Sequence, residues 1–285
     1  RWLTKTMKFE NKTALITGGS SGIGLETARL LSRQGAHVWL AARRPEPLEA
    51  ALDIVQSEKR HDGQCFGSLQ VDITQPEQVS KAVEEMTRQV GTPDLLFNTA
   101  GAAHPGVFEE LDLDIFYWMM NVNYYGSLYM TRAVLPGMVK RGSGHIVMFS
   151  SLVSMISIYG YTAYAASKFA LRGFTDALRM ELKPRGIDVS IVFPPDTDTP
   201  QLAYENRYKP ALTKEIAGMG GSMKADEVAK EVLNGVARNR YLILPGREAK
   251  FWYWISNLAG PLQYPILDFI MARAMKRIAQ RKPKQ

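Results

Sequence analysis

Short apolar and β-branched runs alternate with longer segments of helical period along most of the chain. TALIT (13–17), HVWLA (37–41), QCFGSLQV (64–71), LLF (95–97), HIVMF (145–149), IDVSIVF (187–193) and YLIL (241–244) read as strands, since brief apolar runs between turn formers suit a buried sheet. Between them, 22–34 ends at Gly35, and 76–90 opens on Pro76, whose fixed φ suits a first helical turn. This alternation predicts βαβ units. Seven strands without a linker or repeat predict one doubly wound α/β domain of Rossmann type, with a parallel seven-stranded sheet over residues 10–245. Residues 1–9 read as an extension that is neither signal peptide nor anchor. Residues 194–223 are long and irregular, which predicts a lid.

Composition adds little until its distribution is considered. The 285 residues are 46% hydrophobic and 22% charged, enough for a sizeable core. The lone Cys65 excludes a disulfide framework and suggests a reducing compartment, with a cytoplasmic location expected, or simple indifference to redox. His37, His61, His104 and His145 have no ligand-like spacing, so no metal site is expected. The net charge is +7, and from Arg238 onward ten Lys and Arg residues face only Glu248 and Asp268. The excess is therefore C-terminal, unlike the basic face of a nucleic-acid binder, and no nucleic-acid partner is expected.

That basic segment, 246–285, surrounds FWYWISNLAGPLQYPIL (251–267). Gly260, Pro261 and Pro265 interrupt it, and it falls short of the roughly 20 apolar residues that a span requires. The expectation is peripheral contact with an anionic bilayer on its cytoplasmic face, with Trp252, Tyr253 and Trp254 at the interface. The competing reading is a helical flap over the substrate pocket or a subunit interface.

Chemistry enters with TGGSSGIG (17–24), which follows the first strand and opens the first helix. Gly18, Gly22 and Gly24 let the backbone turn tightly beside a pyrophosphate at the helix N-terminus, and Ser20, Ser21 and Ile23 share the loop. Alone, such a turn can be purely structural. YAASK (164–168) then sets Tyr164 and Lys168 on one helical face, and Ser151 lies thirteen residues before Tyr164. NTAG (98–101) follows the fourth strand, and Asn123 sits in the long helix beyond.

These four motifs, in this order, resemble the short-chain dehydrogenase/reductase family over roughly residues 10–245. The resemblance implies a nicotinamide-dependent oxidoreductase. Ser151 would hydrogen-bond the substrate carbonyl, Tyr164 would exchange its proton, Lys168 would hold the nicotinamide ribose, and Asn123 would fix a water leading to Lys168. Asn98 and Asp72 would serve the cofactor, Asp72 at the adenine unless it only caps a helix. Backbone near Thr197 would take the nicotinamide carboxamide. A homo-oligomer through the helices bearing Asn123 and Tyr164 is also implied. Free tyrosine has a pKa of about 10, and a neighbouring ammonium is expected to lower it.

AARRPE (41–46) has no acid where an NAD enzyme of this family carries one. Arg43, helped by Arg44, suits a 2′-phosphate, so NADPH is the expected cofactor; the alternative is a solvated loop pair. Thr99 replaces a second asparagine, and Pro194-Pro195 replaces the usual Pro-Gly. FPPDTDTP (193–200) with ENRYKP (205–210) resembles the branch of the family that reduces 3-ketosphinganine, a long-chain lipid ketone. A steroid, retinoid or xenobiotic carbonyl, or a non-catalytic cofactor-binding scaffold, are the other readings. Thr199-Pro200 looks like a helix cap. Asp196 and Asp198 either form the turn or offer one carboxylate to the ammonium of an amino ketone.

Overall fold

A computed structural model of the chain describes residues 8–217 and 221–281. Its main sheet comprises β1 (Thr13–Thr17), β2 (His37–Ala42), β3 (Phe66–Gln70), β4 (Leu95–Asn98), β5 (Gly144–Phe149), β6 (Ile187–Val192) and, counting two short strands described below, β9 (Leu242–Ile243). The order is β3-β2-β1-β4-β5-β6-β9, parallel throughout. The seven expected strands all form, though the last shortens to two residues paired with Ile191 and Val192.

Successive strand residues point to opposite faces, and helices cover both. Leu15, Leu96 and Ile146 join one core with Met130, Val134, Leu171 and Leu178 from α5 (Gly126–Arg141) and α6 (Thr162–Leu182). Ile16, Phe97 and Val147 join the other with Ala28 and Leu31 from α1 (Gly22–Arg33) and Val228 and Val232 from α9 (Ala225–Ala237). Two-sided burial is why these strands read as unbroken apolar runs. Further helices, α2 (Pro45–Ser57), α3 (Pro76–Val90) and α4 (Leu113–Met120), complete the wrapping.

Strand order runs outward from β1 to β3, then returns to β4 on the other side of β1. That reversal leaves a crevice at the carboxyl ends of β1 and β4, where open parallel sheets bind ligands.

Residues 194–223 are more ordered than the irregular lid expected, although 218–220 of that stretch lie outside the described residues. They contain β7 (Thr197–Asp198), α7 (Pro200–Tyr208), α8 (Ala211–Ala217) and the first residue of β8 (Met223–Lys224). β7 and β8 pair in parallel as a separate ribbon.

The C-terminal segment folds as α10 (Gly246–Ala259) and α11 (Gln263–Arg281), broken at Gly260, whose φ is +50. Trp252, Tyr253 and Leu267 pack on the core, and Arg277 pairs with Glu215 of α8 at 3.5 Å. Of the three aromatics expected at a bilayer, Trp252 and Tyr253 are thus half-buried, and only Trp254 is exposed, at 58%. Phe251, Leu258, Leu262, Tyr264 and Phe269 are exposed with it. Among the described residues, no helix is long and apolar enough to cross a membrane. Residues 1–7 and 282–285 of the terminal segments lie outside the described residues.

Candidate active site

One cavity of about 850 Å³ runs from the β1–α1 turn to the C-terminal helices. At one end it is made of backbone. Gly18 has φ +66, and a Cβ there would stand 2.8 Å from the Cα of Ala100. A Cβ on Gly24 would stand 2.5 Å from the Gly18 carbonyl oxygen and the Thr99 Oγ1. Ser21 is the N-cap of α1 but its side chain makes no capping bond, so the first-turn N–H groups are left to another acceptor. Ser20, Ser21, Gly22 and Ile23 all border the cavity. A narrow glycine cradle at an uncapped helix N-terminus fits a dinucleotide pyrophosphate. Arg43 and Arg44, both exposed, border the same end.

The β4 turn closes this end. Thr99 Oγ1 donates to the Thr17 carbonyl, and Ala100 N donates to Thr17 Oγ1 at 3.1 Å. The threonine that departs from the family pattern therefore ties the two central strands directly. Asn98 differs from expectation. It is buried away from the cavity wall, its Nδ2 directed at Thr131 Oγ1 (3.4 Å) and Met148 Sδ (3.3 Å), because its strand position points it into the α5 side of the core. Asp72 borders the cavity, yet its Oδ1 accepts from Thr74 N and Oγ1 at 2.9 and 2.8 Å, forming the turn before α3, whose cap is Gln75.

At the other end are side chains. Ser151 follows β5 and caps a short 3-10 turn, accepting from Val153 N at 3.4 Å. Tyr164 and Lys168 lie one turn apart on α6, 8% and 4% exposed. Lys168 Nζ donates to the Phe149 carbonyl at 2.8 Å and stands 5.7 Å from the Tyr164 ring centroid. Asn123 sits in a π-helical turn, Asn121–Tyr125, that swings it toward α6. Its Oδ1 accepts from Ala102 N, and its Nδ2 donates to Ala102 O and Ser167 Oγ, all at 2.9 Å. Asn123 therefore clips the β4 loop to the residue beside Lys168 by direct bonds.

Burial decides the charge states. It raises the Tyr164 pKa well above the usual phenol value, with Glu205 adding to the rise, while hydrogen bonds with Ser151 and Gln201 act the other way. The lowering expected from Lys168 does not prevail. Desolvation of a fully enclosed phenol outweighs an ammonium held by a backbone carbonyl. Burial likewise lowers Lys168 to about 8, so tyrosine keeps its proton while lysine titrates near neutrality.

The proline-aspartate stretch is mostly scaffold. Thr199 caps α7, accepting from Leu202 N at 3.3 Å with Pro200 in the first turn. Asp198 is exposed and off the cavity wall. Asp196 borders the cavity but pairs with buried Lys209 at 3.2 Å. Thr197 is buried on the wall, its hydroxyl donating to Pro195 O at 2.8 Å.

Two polar wall residues, Glu205 and Gln201, were not singled out from sequence. Glu205 is 7% exposed, accepts from Tyr161 OH at 2.8 Å and from Gln201 Nε2 at 3.0 Å, and its pKa is raised by burial. The spacing of Gln201 and Glu205, four apart, was available as a signal; the burial of α7 was not. Phe251, Trp252, Leu267, Ile270 and Met271 supply an apolar far wall.

A parallel doubly wound sheet, a glycine cradle at its switch point and a Ser–Tyr–Lys set with tyrosine and lysine buried define a nucleotide-dependent oxidoreductase. The chain belongs to the short-chain dehydrogenase family, whose pattern matches residues 12–209. Family members use NAD(P)H. The chain is 40% identical over 238 residues to 3-dehydrosphinganine reductase of Danio rerio, covering 83% of this chain and 72% of that protein. It is 37% identical over 255 residues to 3-ketodihydrosphingosine reductase of Mus musculus, covering 89% and 76%. A short-chain type dehydrogenase/reductase from Mycobacterium marinum superposes with a TM-score of 0.75 at 26% identity, over 84% of this chain and 96% of that one.

Proposed function

We propose that the chain reduces 3-ketosphinganine to sphinganine with NADPH. The observation that carries this reading is a single cavity in which Ser151, Tyr164 and Lys168 stand between an arginine-bordered nucleotide end and an apolar wall from α10 and α11. The relatives' names point to the same substrate. Arg43, with Arg44 beside it and no acid at the end of β2, supports a 2′-phosphate over ribose hydroxyls.

When bound, NADPH supplies a hydride for the carbonyl carbon. The chain's own part is to bind and protonate the oxygen. Ser151 and Tyr164 hydroxyls donate to it and stabilise the charge that grows there. Tyr164 then passes its proton to that oxygen; an alkoxide is a stronger base than a phenolate, so the raised tyrosine pKa does not oppose transfer. The Lys168 ammonium stabilises the phenolate left behind and is available to the nicotinamide ribose. Asn123 holds this lysine in register through Ser167 and the β4 loop. Asp72 borders the adenine end, and backbone at Thr197 serves the nicotinamide carboxamide.

The outward face of α10 and α11, with Trp254, Leu258, Leu262 and Phe269 exposed, rests on an anionic bilayer from the cytoplasmic side. A second copy docks on the face where Tyr117, Tyr125 and Phe169 are exposed. Turnover of 3-ketosphinganine beside short-chain and steroid ketones, with NADPH and NADH in parallel, tests the central reading. Preference for the sphingoid ketone with NADPH is expected; faster turnover of a steroid overturns it.

A further inference from the structure

The established features of the cavity explain how a ketone is protonated but leave one wall residue unused. Glu205 is a nearly enclosed carboxylate whose two hydrogen-bond donors, Tyr161 hydroxyl and Gln201 amide, are both neutral. Burying a carboxylate without a formal counter-charge is costly, and such groups are ordinarily paired. The ammonium of Lys209 acts on Glu205 from a distance but makes its direct ion pair with Asp196, at 3.2 Å.

Its distance from the chemistry is set by one side chain. Tyr161 donates to Glu205 Oε2 at 2.8 Å, and its ring centroid lies 5.7 Å from that of Tyr164. A single aromatic side chain therefore lies between proton donor and buried carboxylate. An α-amino ketone carries its ammonium on the carbon next to the carbonyl. Glu205 lines the same cavity as Tyr164 and Ser151, where the carbonyl oxygen binds.

We propose that Glu205 is the residue that recognises the substrate's ammonium and so selects 2-amino ketones over neutral ketones. This rests on the sphingoid reading above and sharpens it. It moves the amine from the proline-aspartate turn, where sequence directed attention, to α7. A charge-assisted hydrogen bond also fixes which way round the ketone lies, with the amino side toward α7.

The test uses two substrates and one isosteric variant. The purified enzyme is assayed with 3-ketosphinganine and with the same hydroxy ketone lacking the amino group. The unmodified enzyme should favour the amino ketone. Glu205→Gln should lose about 10- to 100-fold in kcat/KM on the amino ketone while staying within roughly threefold on its neutral counterpart. Equal losses on both ketones, or no loss, overturns the proposal, as does a selective loss in Asp196→Asn or Glu248→Gln but not in Glu205→Gln. An unmodified enzyme that reduces neither ketone overturns the sphingoid reading itself. One that reduces both equally removes amine recognition and leaves ketone reduction standing. If Glu205→Gln does not fold, inhibition of the unmodified enzyme by sphinganine and by N-acetylsphinganine decides. The free amine should bind at least about tenfold more tightly, and equal inhibition refutes the assignment.

Discussion

The two ends of the cavity are built in different ways. The nucleotide end is backbone: a glycine turn, a helix N-terminus and a neighbouring strand end that must come within van der Waals contact. The substrate end is side chain, gathered from α6, α7, α10 and α11, elements far apart in sequence. A backbone cradle is specified by residues that take up no space, so its sequence signature is compact. A side-chain chamber is specified by which helix faces happen to meet, and its signature is dispersed.

The sharpest break between the ends is Tyr164→Phe, which keeps the ring and removes the proton donor. Turnover should fall by roughly 10²–10⁴-fold while cofactor binding, followed by fluorescence titration, is nearly unchanged. A variant retaining half its rate contradicts the acid assignment.

At the nucleotide end, Arg43→Ala should weaken NADPH by about 10- to 150-fold and NADH little, the loss of one charge-assisted phosphate contact. Gly24→Ala is its counterpart. A methyl 2.5 Å from a backbone oxygen distorts the cradle, so both cofactors should weaken together. Isothermal titration with each dinucleotide separates charge reading from shape.

Lys168 links the ends, and its pH dependence has a defined sign. With a pKa of about 8 in the free enzyme, it is an ammonium below that pH and neutral above it. The profile of kcat/KM for NADPH should therefore decline above about pH 8, approaching tenfold per pH unit. Folding stability moves the opposite way. Because burial disfavours the folded ammonium, stability is reduced below the folded pKa and recovers as pH rises from about 8 toward the unfolded value of 10.5. An activity profile flat to pH 10 refutes this role.

The smallest expected effect concerns the outer wall. Full-length protein should float with anionic liposomes at low salt, and Trp254→Ser should reduce the bound fraction a few-fold. Protein that stays soluble at low salt excludes bilayer binding.

The contrast also accounts for what the sequence disclosed. TALIT coincides with β1, because burial on both faces wrote an unbroken apolar run. Tyr164 and Lys168 were legible as one helical face. YLIL shrank to Leu242–Ile243 because it meets β6 only at Ile191 and Val192, a register that its own apolarity does not reveal. FWYW placed aromatics at four consecutive positions, so every face of α10 looked interfacial, and packing alone decided that Trp252 and Tyr253 turn inward. Asn98 faces the α5 side of the sheet, which its motif does not reveal. Glu205 escaped because nothing local predicts that a carboxylate on a short polar helix becomes enclosed.

The two-residue ribbon has a consequence for how such a chamber can change. Thr197 pairs with Met223, and Asp198 with Lys224, so the ends of the intervening segment are clasped together. For a segment whose ends are already fixed, doubling its length costs only about 0.6 kcal/mol in closure entropy. Chain closure thus places little restraint on the length of that segment, while Ser151, Tyr164 and Lys168 lie outside the clasp. The helices between the two short strands can therefore shift or change length as a unit, hinged at the ribbon, while the frame that holds the reacting groups stays in place.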